Sequence, residues 1–226
     1  AWRHMRAEHL DAVMFLGDYI YEYPGKTSRL RTPGGGWVIT LDDYRRRYAL
    51  YKGDADLQAM HAHCPWLMTW DDHEVQNDYA GKQAGDSGLF DPASPSDFLA
   101  RRAAAYQAYY EHMPIRASAL TRALAGLGEG AELRIYRSVP FGRLANLYLL
   151  DARQYKDRQV CTKDGRRGSG TVNPRHCPQW NDPKRSMLGQ AQEQWLEQEL
   201  GQQGAAGVTW NVLGQQTVFG QRDFQS

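Results

Sequence analysis

Residues 11–18 read Asp-Ala-Val-Met-Phe-Leu-Gly-Asp, in which five consecutive apolar residues are followed by a glycine and an acid. The run lacks the alternation of a half-exposed strand, so it predicts a buried strand that ends in a glycine turn. Helical patterns follow at residues 40–52 and 54–63, and a second short apolar run covers residues 66–70. We therefore predict a βαβ arrangement, whose two parallel strands end at the same edge of a sheet.

An acidic residue follows each of these predicted strands. Asp18 follows the first, and Asp71-Asp72-His73-Glu74 follows the second, so the two acidic segments should converge. Hard metal ions prefer carboxylate ligands. If the chain turns into a helix after Asp18, Tyr21 returns to the same side three residues later. Asp18, Tyr21 and Asp72 are thus candidate metal ligands, although a lone Gly-Asp after a strand is more often a turn or a helix cap.

The rest of the chain predicts further helices and strands of one mixed α/β domain that covers residues 1–226. The predicted helices are at residues 2–10, 94–113 and 187–202, and the predicted strands are at 132–139, 143–150 and 208–213. The strands at 132–139 and 143–150 flank a Pro-Phe-Gly turn, which favours an antiparallel pair. The last strand should extend the same sheet.

Composition excludes several classes of protein. The 27 basic and 26 acidic residues leave a net charge of +1, so no basic patch for nucleic acid is evident and a small-molecule substrate is expected. No apolar run approaches the roughly 20 residues that cross a bilayer, so we expect no membrane span. The sequence also lacks a Gly-x-Ser-x-Gly elbow, a Walker loop and a Gly-x-Gly-x-x-Gly fingerprint. Serine hydrolases, P-loop nucleotide hydrolases and dinucleotide oxidoreductases therefore lose their usual support.

The three cysteines leave two interpretations open. Cys161 and Cys177 flank a loop rich in Gly, Arg, Asn and Pro, which one disulfide could close. A disulfide would favour an exported protein, whereas two reduced thiols would not. Cys64 would be free in either case.

Several separated motifs resemble those of one family. Phe-Leu-Gly-Asp-Tyr-Ile-Tyr at residues 15–21 and Trp-Asp-Asp-His-Glu-Val at 70–75 resemble the alkaline phosphatase D (PhoD) family of the calcineurin-like metallophosphatases. The resemblance continues, in the same order, through residues 44–48, 110–114, 150–155 and 188–196. It therefore covers nearly the whole chain.

This resemblance implies a metallophosphatase-type fold, with two packed mixed sheets flanked by helices, and an iron and calcium cluster. It places Asp18 as the bridging ligand, Tyr21 as a ligand of Fe³⁺ and Asp72 as a further metal ligand. His73 falls at the general-acid position, and Glu74 is expected to orient it. The implied reaction is hydrolysis of phosphate monoesters and diesters by attack of metal-bound hydroxide.

The resemblance is less specific about two further residues and about the ends of the chain. Arg153 could bind the substrate phosphate beside Asp151, or the two could form a pair that holds a loop. The family implies a periplasmic or secreted protein. Because the family's other ligands have no counterpart here, we expect an internal fragment with part of the cluster, which leaves open an inert binding module or a hydrolase of a non-phosphate ester.

Overall fold

The computed structural model describes residues 1–25, 33–86, 95–120, 132–162, 167–168 and 172–220. The described helices are α1 (Trp2–Met5), α2 (Leu41–Lys52), α3 (Ala55–His63), α4 (Pro95–His112) and α5 (Gln190–Ala206). The described strands are β1 (Val13–Phe15), β2 (Trp66–Met68), β3 (Arg137–Phe141), β4 (Ala145–Leu149) and β5 (Trp210–Gly214).

The strands form two small sheets. β1 and β2 pair in parallel, with Val13 opposite Trp66, and α2 and α3 lie between them in the chain. β3 and β4 pair antiparallel, and β5 joins β4 in parallel. The predicted mixed α/β class, the parallel pair and the antiparallel pair are all confirmed.

Side-chain caps explain why two of the predicted helices begin where they do. The Thr40 hydroxyl accepts a hydrogen bond from the Asp43 amide, and the Asp43 carboxylate accepts one from the Thr40 amide, which is a complete capping box at the start of α2. The Asp54 carboxylate caps α3 by accepting a bond from the Leu57 amide. Both helices therefore begin one residue after a polar cap.

Several predicted elements are shorter than expected. β1 covers three of the five residues in the predicted apolar run, since the chain turns at Gly17 and Asp18, and α1 ends at Met5. Residues 132–136 are not part of β3. The amide and carbonyl of Leu133 bond to the side chain of Gln154, which takes the place of a neighbouring strand.

The core lies between α2, α4 and the β1–β2 sheet and is rich in aromatic rings. Trp70, fully buried just after β2, stacks on Tyr106 of α4 with ring centroids 4.4 Å apart. A hydrogen bond next to Trp70 joins the ends of the two sheets: the Thr69 hydroxyl donates to the Leu150 carbonyl at 2.8 Å. The segment after β4 is thereby placed beside the segment after β2.

A disulfide joins Cys161 and Cys177, and Cys64 is a buried free thiol. The structure thus agrees with the interpretation in which one disulfide closes the loop between Cys161 and Cys177. None of the described helices is both long and apolar enough to cross a membrane.

Candidate functional site

The loops after β1 and β2 lie directly against each other. Gly17 has φ +107°, and a Cβ atom at this position would lie 2.2 Å from the Asp71 amide nitrogen. Only glycine fits there, since the obstructing atoms are two backbone atoms and the Cβ of Asp71, none of which is the far end of a flexible side chain. Asp18 follows in the left-handed region with φ +57°, a conformation that asparagine and aspartate tolerate better than other side chains. This turn directs Asp18 toward the end of β2.

The predicted convergence of the two acidic segments is present. One potential ligand atom from each of Asp18, Asp72 and His73 lies within 4.8 Å of the others. Tyr21 reaches the same cluster, since its hydroxyl donates to Asp18 Oδ2 at 2.9 Å. Asp18 Oδ1 is buried and has no hydrogen-bond partner among the described residues, which is costly for a carboxylate oxygen.

Arg153 supplies positive charge to the acidic side of the cluster. Its Nε donates to Asp71 Oδ1 at 2.5 Å, and its other nitrogens lie 3.6 Å from Asp72 Oδ2 and 3.7 Å from Asp78 Oδ1. The Asp78 amide also donates to Asp72 Oδ2 at 2.6 Å. These contacts hold Asp72 in place and partly offset the charge of the carboxylates.

The carboxylates titrate differently because their surroundings differ. Burial raises the pKa of Asp18, and the nearby His73 only partly opposes it. Burial also favours the neutral form of Asp72, but Arg153 and His73 outweigh it and lower the pKa. Burial raises the pKa of Asp71 to about 6 despite its bond to Arg153. The Tyr21 phenol has a raised pKa, because it is partly buried and donates to Asp18.

His73 is oriented by an acid that the sequence analysis did not single out. Its Nδ1 donates to Glu22 Oε2 at 2.7 Å, and the Glu22 carboxylate is fully buried. Glu22 Oε1 accepts a bond from the Asn77 amide at 2.7 Å, which fixes the carboxylate. Burial lowers the pKa of His73, but the Glu22 contact and the neighbouring acids raise it to about 9. Nε2 is then the ring nitrogen left to face a ligand.

Glu74, which was expected to orient His73, accepts hydrogen bonds from two backbone amides instead. Glu74 Oε1 accepts from the Tyr19 amide at 2.5 Å, and Oε2 accepts from the Asp71 amide at 2.9 Å. Adjacent side chains in this tight turn point in different directions, so Glu74 ties the two loops together behind the site. Its burial raises its pKa to about 8.

Aromatic rings border His73. The Tyr21 and Tyr23 rings have centroids 4.3 and 5.1 Å from the imidazole, respectively. Arg47 of α2 donates to the backbone carbonyls of both tyrosines and to that of Gly36. One buried guanidinium therefore holds the loop that carries Tyr21, Glu22 and Tyr23.

The structure favours the loop-holding role over the substrate-binding role for Asp151. Its side chain is fully buried and accepts bonds from the Arg153 and Gln154 amides and from Gln154 Nε2. Arg153 is also largely buried, and its guanidinium faces the acids already described.

Sequence reasoning missed Glu22, Arg47 and Asp78, among other residues that complete the site. Glu22 stands between two tyrosines, where an acid could be read as an ordinary exposed residue. Arg47 lies in a run of three arginines, a pattern that is typical of a solvated helix face, yet it is only 3% exposed. The available signal for a buried Arg47 was its position between Tyr44 and Tyr48 in the same helix. Both tyrosine rings are buried in the structure.

The residues of the cluster fit a hard metal ion. Asp18 offers a buried oxygen that has no partner in the described part of the chain, and Asp72 and Tyr21 offer further oxygen atoms at the same edge of the sheet. Carboxylate and phenolate oxygens are ligands of the kind that hard metal ions bind. An uncompensated carboxylate oxygen in a buried site is what a cation would satisfy.

Known proteins resemble this chain in sequence and in structure. The sequence model of a family described as PhoD-like phosphatase matches residues 1–226. The chain is 45% identical to alkaline phosphatase D of Bacillus subtilis (strain 168) over 99% of its own length and 35% of that protein's. It also resembles a solved structure described as "Structure of PhoD", with a TM-score of 0.73 and 42% identity, over 94% of this chain and 37% of that one. The chain thus spans about a third of the length of these two relatives, and it belongs to the PhoD-like phosphatase family.

Proposed function

We propose that this chain carries part of the active site of a metal-dependent phosphoesterase that hydrolyses small-molecule phosphate esters. Asp18, Tyr21 and Asp72 are the proposed metal ligands. The observation that carries the proposal is the convergence of Asp18, Asp72 and His73 within 4.8 Å, with one buried oxygen of Asp18 that no described residue bonds. The family and the named relative support the same class of reaction.

Iron and calcium are the proposed ions, because a phenolate suits Fe³⁺ and carboxylates suit Ca²⁺. Such ions, when bound, would activate a water molecule and offset the negative charge of the phosphate. An aspartate at position 72, instead of a neutral amide, adds negative charge to the cluster and favours hard cations.

His73 is the proposed general acid. Its Nδ1 is held by Glu22, so Nε2 carries the proton that passes to the departing ester oxygen as the phosphorus–oxygen bond breaks. The Glu22 carboxylate stabilises the protonated imidazole before the transfer, as the raised pKa of His73 indicates. Glu74 and Arg153 act as positioning residues, since they hold the two loops and the acids.

We also propose that the protein is exported. The Cys161–Cys177 disulfide supports this location, because disulfides persist in oxidising compartments and are rare in the cytosol.

The test measures hydrolysis of nitrophenyl phosphate and bis-nitrophenyl phosphate, together with bound iron and calcium, in the full product of the gene that encodes this chain. Asp18→Asn and Asp72→Asn should each reduce metal content and activity by at least about 100-fold, because each removes a charged ligand. Asp42→Asn is the matched control, since Asp42 is an exposed acid of α2. Full activity in both ligand variants would refute the proposal. Activity on carboxylic esters alone would favour a non-phosphate hydrolase, and no activity on any ester would favour an inert module.

A further inference from the structure

A cavity lies outside the acidic cluster. It has a volume of about 420 Å³, within the range of small-molecule sites, and three arginines contribute to its wall. They are Arg116, after α4, and Arg134 and Arg137, before and at the start of β3. Trp195 of α5 and Tyr136 provide aromatic surface. None of the proposed metal ligands is part of this described lining.

The three guanidinium groups have no acidic partner among the described residues. Arg134 lies over the Tyr136 ring at 4.4 Å, and Arg137 donates to the carbonyls of Met68 and Ile135. Ser138, which also lines the cavity, donates to Glu199, but Glu199 is not part of the wall. The cavity therefore has a net positive lining.

Arg137 is partly buried, whereas Arg116 and Arg134 are exposed, so an anion that enters the cavity would meet positive charge from all three side chains. Burial and the charge of Arg116 both lower the pKa of Arg137, which is consistent with this crowding. Two of the three side chains are also restrained, Arg134 by the ring and Arg137 by two carbonyls. Restrained guanidinium groups lose less conformational freedom when they bind an oxyanion.

We propose that this cavity is an anion site that binds a phosphate group. Guanidinium groups match the tetrahedral oxygens of phosphate and can donate paired hydrogen bonds to them. The aromatic surface next to the arginines suits an organic substituent on that phosphate. The proposal does not depend on the proposed metal site, since no residue is shared between the two.

The test is a titration with inorganic phosphate, followed by the indole N–H signal of Trp195 in two-dimensional NMR spectra and assigned with Trp195→Phe. Spectra are recorded with and without EDTA, so that phosphate held by metal does not contribute. We expect a saturable shift that sodium chloride at equal ionic strength does not reproduce. Arg116→Gln and Arg134→Gln should each weaken binding by about tenfold or more, because each removes a charged donor.

Both substituted side chains are exposed, so the variants should fold, whereas Arg137 is left intact because it holds backbone carbonyls. Arg3→Gln is the control, since Arg3 is an exposed arginine paired with Asp56. A second titration with phenylphosphonate distinguishes the two sources of the phosphate-like group. Tighter binding than phosphate identifies an organic phosphate, and equal binding identifies the free ion. A shift that chloride reproduces, or that both variants retain at full affinity, overturns the proposal.

Discussion

Replacing Glu22 with glutamine should slow the hydrolysis of phosphate esters. The loss should be largest for esters whose leaving group must be protonated by a general acid. Glutamine keeps the size of the side chain but removes the charge that faces His73 Nδ1 at 2.7 Å. It can still accept the Asn77 amide bond, in which case its NH₂ group faces the imidazole. The protonated imidazole then loses its partner in a fully buried environment.

The size of the effect follows from that contact. A hydrogen bond to a charged group contributes about 1.5–3 kcal/mol, which corresponds to about 10- to 150-fold in rate. The loss should appear in kcat for phenyl phosphate, whose phenolate leaving group needs a proton. Dinitrophenyl phosphate has a leaving group that departs without one, so its kcat should change by less than about threefold.

The assay compares both esters in the wild type, Glu22→Gln, His73→Asn and the double variant. The double variant should be no slower than His73→Asn alone, because Glu22 acts through His73. Glu111→Gln, which breaks a surface pair with Arg45, is the control. Equal losses for both esters would refute the positioning role and indicate damage to the fold or to metal binding. An unchanged phenyl phosphate rate would refute it as well.

Three further predictions concern stability and are checked by denaturant unfolding. Gly17→Ala should cost more than about 2 kcal/mol, because the new Cβ would overlap backbone in a conformation with φ +107°. Thr40→Ala should cost about 1 kcal/mol through loss of the helix cap. Burial raises the pKa of Asp43, but its bonds to Thr40 outweigh this and lower the pKa from 3.8 to about 2. The folded pKa lies below the unfolded value, so this stabilisation is present above pH 3.8 and lost as the pH falls toward 2, and Thr40→Ala should reduce that loss. Cys161→Ser with Cys177→Ser should cost about 2–4 kcal/mol, because the bond closes a loop with a sequence separation of 16.

Each stability prediction has a control or a contradictory outcome. Gly34→Ala should be tolerated, since a Cβ there meets nothing within 4 Å. Equal effects of the two glycine substitutions would contradict the close approach of the loops. An unchanged acid transition in Thr40→Ala would contradict the contribution of Asp43. If dithiothreitol destabilises the double cysteine variant as much as the wild type, the disulfide is not the source of the stability.

Local sequence determined much of the fold, and it determined which acids converge at the site. The apolar runs that form β1 and β2, and the caps at Thr40 and Asp54, act within a few residues, so their positions can be predicted from the chain itself. Parallel pairing then requires both strands to end at one edge. This is why the convergence of Asp18 and Asp72 followed from sequence.

Only the tertiary structure decided which groups complete the site. Glu22 and His73 are 51 residues apart, and Arg153 and Asp71 are 82 apart. These contacts depend on the paths of loops, which no hydrophobic periodicity encodes. The same reason explains why Glu74 turns toward two backbone amides although it is the neighbour of His73. Residue types and spacing thus identified the acids that converge, and three-dimensional packing assigned a partner to each of them.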